Sequence, residues 1–84
     1  MKRISGLPNI GDKLMERLAI VGIEDAETLI KMGSKAAFSK LYFYEGDTCF
    51  NCLCSLEGAI EGVRWHCLKS DVKLDLKQYY DSII

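Results

Sequence analysis

Proline occurs once in this chain, at Pro8, and histidine once, at His66; no segment is low in complexity, and neither sign of charge dominates. Each shortage excludes something. With scarce proline and half of its residues apolar, the chain is neither a linker nor a disordered tail. A single histidine, with no serine or cysteine tied to it as a nucleophile beside an orienting carboxylate, leaves hydrolytic or acid–base catalysis without a constellation. No uncharged apolar run approaches the roughly 18 residues that would cross a bilayer, and the start MKRISGLPNIG lacks the apolar stretch of a signal peptide. The expectation is a cytoplasmic protein with no membrane contact. The formal net charge of -1 gives no global nucleic-acid footprint, although dividing the chain at Lys40 leaves a slightly basic front (Lys2, Arg3, Lys13, Arg17, Lys31, Lys35, Lys40) and an acidic back.

What is present is helical patterning. The 84 residues are enough for one domain, spanning 1–84, with a modest core. Its centre is the stretch Thr48 to Trp65, TCFNCLCSLEGAIEGVRW, whose first eight positions after the threonine carry no charge. At helical spacing Cys49, Cys52, Leu53, Leu56, Ala59, Ile60 and Val63 form one apolar stripe, widened by Phe50 and Cys54, so this helix needs neighbours on more than one side. Thr48 is its expected cap and Trp65 its large apolar end. Gly58 and Gly62 each cost about 1 kcal/mol of helix propensity, which points to close backbone approach or, at Gly62, to termination.

Before this element the pattern predicts three short helices. The first starts at Asp12 after the turn Pro8–Asn9–Gly11, buries Leu14, Leu18 and Val21 beside Met15, and stops at Gly22. The second runs from Glu24 to Met32 with Ala26, Leu29 and Ile30 facing inward and Gly33 as terminator. Ser34 is positioned to cap the third, which buries Ala37, Phe38 and Leu41 and ends at Gly46. After Trp65, Ser70 and Asp71 open a last helix with Val72, Leu76, Tyr79, Tyr80 and Ile83 inward. A strand over the alternating VKLDL segment would have no partner. The fold expected is all-α, about five short helices packed around a central buried one.

Candidate chemistry is sparse. Cys49 and Cys52, followed by His66 and Cys67, outline a zinc spacing, and C-x2-C at a helix start is a conceivable redox pair. The cysteines nonetheless fall on the apolar stripe of a helix, where neighbours diverge too far for disulfides, and a buried thiol packs as a small hydrophobe. With no secretory signal they are expected to be reduced, and neither metal nor cofactor is expected. Glu57 and Glu61, four apart, could pair as carboxylates; the simpler expectation is that Glu57 satisfies a backbone group or Arg64 while Glu61 is solvated. Tyr42, Phe43 and Tyr44 could stack bases, but Glu45 and Asp47 follow at once, and packing against the central helix is preferred.

The pattern L7-P8-N9-I10-G11-D12-K13 resembles the hairpin of helix-hairpin-helix modules, in which free amides at a helix N-terminus hold a DNA phosphate without reading sequence. A second turn, I30-K31-M32-G33-S34-K35, lies at the spacing of tandem modules. The phosphate candidates are therefore Asn9, Gly11, Lys13, Gly33 and Lys35, against the alternative that both turns are only structural. Finally, L56-E57-G58-A59-I60-E61-G62-V63-R64-W65 with Leu68, preceded by L7-P8-N9-I10-G11, G22-I23 and M32-G33-S34, resembles the C-terminal domain of TfoX (Sxy) proteins, regulators of bacterial competence for DNA transformation. The resemblance implies a helix-hairpin-helix-like, SAM-domain-like bundle with no enzymatic residues. It implies a regulatory binding module whose partner is protein or nucleic acid. An adaptor that contacts only protein is the alternative, and no small-molecule substrate is implied.

Overall fold

A computed structural model describes residues 7–46 and 48–83. Lys2, Arg3 and Asp47, which entered the reading of charge, lie outside that set. The chain forms α1 (Asp12–Ile20), α2 (Ala26–Glu45), α3 (Phe50–Glu61), a 3-10 turn (Trp65–Cys67) and α4 (Ser70–Ile83). No β-strand is present among the described residues. The two segments of α2 on either side of Gly33 bring the helical pieces to the expected five. Gly33 adopts φ 87 and ψ 163, a conformation open essentially to glycine alone, and it ends the first helical segment of α2, as its sequence position predicts, before the second sets off in a new direction.

The core is the one the periodicity anticipated. Leu18 of α1, Leu29, Ala37, Phe38 and Leu41 of α2, Leu53, Leu56 and Ala59 of α3, and Leu76 of α4 are almost fully buried in one cluster. Phe38 anchors its aromatic side, with ring centroids 6.4 Å from Tyr42 and 5.9 Å from Tyr80. Helix α3 lies at the centre, packed on α2, on the 3-10 turn and on α4. It ends as Gly62 predicted. Gly62 is left-handed at φ 79, the Val63 N–H donates to Gly58 O at 2.9 Å, and the Gly62 N–H donates to Ala59 O at 3.3 Å, the paired bonds that close a helix of this kind.

Several local expectations are corrected. Cys49, placed on the apolar stripe, is the residue before α3 begins; its backbone is extended and its side chain is exposed. Thr48 does not cap α3, because its hydroxyl is claimed from elsewhere. It accepts from Arg17 Nη2 at 2.9 Å and donates to Glu45 Oε1 at 3.3 Å. Arg17 in turn grips both Glu45 oxygens at 2.7 Å, so one guanidinium ties α1 to the end of α2 and the start of α3. Ser34 is buried, but its hydroxyl donates to Glu57 Oε1 at 2.6 Å. Ile30 is half exposed, because the first segment of α2 turns Ala26 and Leu29 to the core and Ile30 follows Leu29 about 100° round the helix. Trp65 lies beyond α3 in the 3-10 turn, 37% exposed, because Gly62 stops the helix first. Of the aromatic run, Tyr42 packs inward while Phe43 and Tyr44 face solvent.

Candidate functional site

The front turn is built from its backbone outward. Asn9 is left-handed, with φ 67, a conformation its short amide side chain tolerates. That side chain is used inward. Its Nδ2 donates to Val63 O at 2.8 Å, and its Oδ1 accepts from Trp65 N–H at 3.1 Å. Ile10 then buries at the core's edge, and Gly11 opens α1 in an extended conformation, accepting from Met15 N–H at 3.0 Å. Glycine offers no side-chain acceptor. The first amides of α1 therefore have no cap from the residue that normally supplies one, beside exposed Gly11, Asp12 and Lys13.

Because Asn9 is bonded to the backbone on both sides of Arg64, it brings a second turn to the first. Arg64, Trp65 and His66 are exposed there, the Trp65 and His66 rings meeting edge to face at 5.8 Å. Sequence reasoning quoted the front turn and the stretch that ends in Arg64 and Trp65, but did not join them. The available signal was the pair of asparagine and glycine, since Gly58 leaves the space the bridge occupies. A Cβ on Gly58 would stand 2.5 Å from Asn9 Nδ2 and 2.7 Å from Val63 O.

Gly33 and Lys35 lie elsewhere, in a cleft of about 500 Å³ between α2, α3 and α4 that none of the front-turn residues lines. Lys35 Nζ is paired with Asp75 Oδ2 at 2.7 Å. Glu57 and Asp71 share the same walls, so negative charge outweighs positive beside the second turn. Glu57 binds neither the backbone nor Arg64; its donor is Ser34. Hydrogen bonding to Glu57 raises the Glu61 carboxyl above its usual range, and partial burial and the charge of Glu57 add to this, with Lys69 opposing. The structure thus gathers Asn9, Gly11 and Lys13 at one place and Gly33 and Lys35 at another.

At the start of α3, Cys49 is exposed and Cys52 buried, and burial raises the Cys52 thiol while the nearby Arg17 guanidinium opposes that rise. Among the described residues no group of three or more histidine, cysteine or acidic side chains is placed to hold a metal ion. Among them, too, no helix is long and apolar enough to cross a membrane.

Comparison with known proteins places this architecture. No curated protein matches the chain. Solved crystal structures do, and two of them illustrate the likeness. One is of an uncharacterized protein from Listeria monocytogenes in a triclinic form, 38% identical, with TM-score 0.93, covering 96% of this chain and 92% of that one. The other is of a protein of unknown function from Listeria monocytogenes in a tetragonal form, 39% identical, with TM-score 0.92, covering 95% of this chain and 99% of that one. The sequence profile of the TfoX C-terminal domain matches residues 1–80, and the chain therefore belongs to the TfoX C-terminal domain family.

Proposed function

We propose that this protein is a non-enzymatic regulatory module that docks on nucleic-acid phosphate through the joined front turns. The observation that supports this reading is the Asn9 bridge. Its two hydrogen bonds, at 2.8 and 3.1 Å, hold the uncapped start of α1 and the Arg64–Trp65–His66 turn in one rigid arrangement. A preorganised set of outward amides loses little freedom when an anion arrives, and the helix dipole favours that anion. Lys13 and Arg64 supply positive charge, Asp12 opposes it, and the exposed Trp65 offers a face for a sugar or base. Regulation of competence is the family-level role this docking would serve.

Fluorescence anisotropy of a short labelled duplex tests the reading. Binding should fall steeply with salt, and Lys13→Glu or Arg64→Glu should weaken it across unrelated sequences, each lowering the salt slope by about one. No binding at low salt overturns it. A second reading, an adaptor that contacts only protein, is favoured by Phe43 and Tyr44, which are 74% and 65% exposed on adjacent positions of α2. It predicts a complex that survives nuclease and salt and is lost in Phe43→Ser.

A further inference from the structure

The cysteines at the start of α3 are not used by the docking surface: Cys49 is exposed before the helix, and Cys52 lies at the edge of the buried core. Cys49 occupies the position just before the helix, with φ -92 and ψ 161, and Cys52 is the third residue within it. The Cys52 N–H donates to Cys49 O at 3.0 Å, which closes the first turn. Helix geometry then puts the two Cα atoms about 5 Å apart, inside the span of roughly 4.4 to 6.8 Å that disulfides bridge. The divergence expected of two residues inside a helix does not carry over to Cys49, whose backbone is extended and lies before the first turn. An extended residue at the cap swings its side chain back over the first turn, the geometry by which a capping side chain reaches the third residue of a helix.

Accessibility divides the pair into distinct parts. Cys49 is open to solvent, while Cys52 is 8% exposed behind it. The Cys49 side chain makes no capping hydrogen bond, so its thiol is not engaged by the first turn of α3. Arg17 approaches Cys52 from α1, and the same guanidinium holds Glu45 and Thr48, the residue that directly precedes Cys49. Cys54 is buried and lies about 200° round the helix from Cys52, and Cys67 sits on the 3-10 turn. Neither shares this geometry.

We propose that Cys49 and Cys52 form a redox-responsive dithiol that a low-molecular-weight disulfide, such as oxidised glutathione, converts to an intramolecular disulfide across the first turn of α3. The Cys49 thiolate attacks one sulfur of the small disulfide, forming a mixed disulfide and releasing one thiolate. Cys52, deprotonated as it reacts, then attacks the Cys49 sulfur and expels the second. The protein loses two electrons and two protons, and the small disulfide gains them as two thiols. Burial of Cys52 keeps it from the oxidant and reserves it for the second step, in which its partner is already adjacent.

The test uses the full chain, reduced and then held at a series of ratios of reduced to oxidised glutathione, quenched with an alkylating agent and mapped by peptide mass spectrometry. The expected result is the loss of two hydrogens within one chain, located to a Cys49–Cys52 link and reversed by dithiothreitol. Cys52→Ala should stop at one glutathione on Cys49, and Cys49→Ala should form no intramolecular link. Cys67→Ala should leave the Cys49–Cys52 link intact. Should Cys52→Ala fail to fold, Cys49→Ala alters an exposed position and decides alone. The proposal is overturned if the wild type stays unlinked at the most oxidising ratio, if Cys49 stops at the mixed disulfide with Cys52 present, or if the link found is between chains through Cys67.

Discussion

Gly58→Ala adds one methyl group at the point where α3, the front turn and the turn after α3 meet. The new carbon would lie 2.5 Å from Asn9 Nδ2, 2.7 Å from Val63 O and 3.2 Å from Trp65 Cα. The last two are backbone atoms, so no rotamer change relieves the crowding. If the turns hold their place, overpacking costs about 1–3 kcal/mol. If they retreat, Asn9 gives up both hydrogen bonds, about 1 kcal/mol apiece. Against either stands the gain in helix propensity of about 1 kcal/mol on replacing glycine. The net expectation is a loss of about 1 kcal/mol, which for a domain of this size lowers the melting temperature by roughly 4–8 °C. Urea unfolding followed by far-UV circular dichroism measures it. Asn9→Gly removes the bridge while tolerating the left-handed backbone, and in that background the cost of Gly58→Ala should shrink. Equal or greater stability of Gly58→Ala refutes the close-approach argument, and full additivity of the two substitutions refutes the role of Asn9.

The lock around Arg17 should show itself in acid. Hydrogen bonding to Arg17 holds the Glu45 carboxyl below its usual value of 4.5, with burial opposing. A depressed folded pKa means the stabilisation is complete above the unfolded value and disappears as pH falls through the folded one. Arg17→Ala should therefore cost about 1 kcal/mol at neutral pH, and its urea midpoint should converge on that of the wild type as Glu45 is protonated; a gap that persists in strong acid would contradict this. Ser34→Ala removes the donor to Glu57 at a buried position and should cost about 1–2 kcal/mol, whereas a change within about 0.5 kcal/mol, typical of unengaged sites, would mean that Glu57 finds another partner.

What could be read from the sequence was whatever repeats locally. The period of the apolar residues located the core, and Gly22, Gly46 and Gly62 marked the helix ends where the structure has them. Gly58 was identified as a point of close approach, although nothing local said to what. The misses share a cause. Thr48 and Ser34 were assigned to caps because hydroxyl residues before apolar runs usually serve there. Arg17 claims the first across 31 positions and Glu57 the second across 23. Tertiary partners outbid local ones when burial would leave a carboxylate or hydroxyl without a donor or acceptor. At the candidate site, Lys13 and Gly11 were legible from turn chemistry, while Arg64 and His66 were not, because their nearness to the front turn depends on a bridge spanning most of the chain.

That bridge also constrains the order in which the molecule assembles. Asn9 reaches partners 54 and 56 positions away. Closing so long a loop costs entropy before any contact repays it, whereas α2 and α3 are consecutive and meet over a short connection. The receptors for Asn9, Val63 O and Trp65 N–H, take up their places only once α3 has terminated at Gly62. The front turn therefore depends on the completed end of α3 for both of its anchoring bonds. Amide exchange of Trp65, whose N–H donates to Asn9 Oδ1, reports opening of the bridge without requiring the core to unfold.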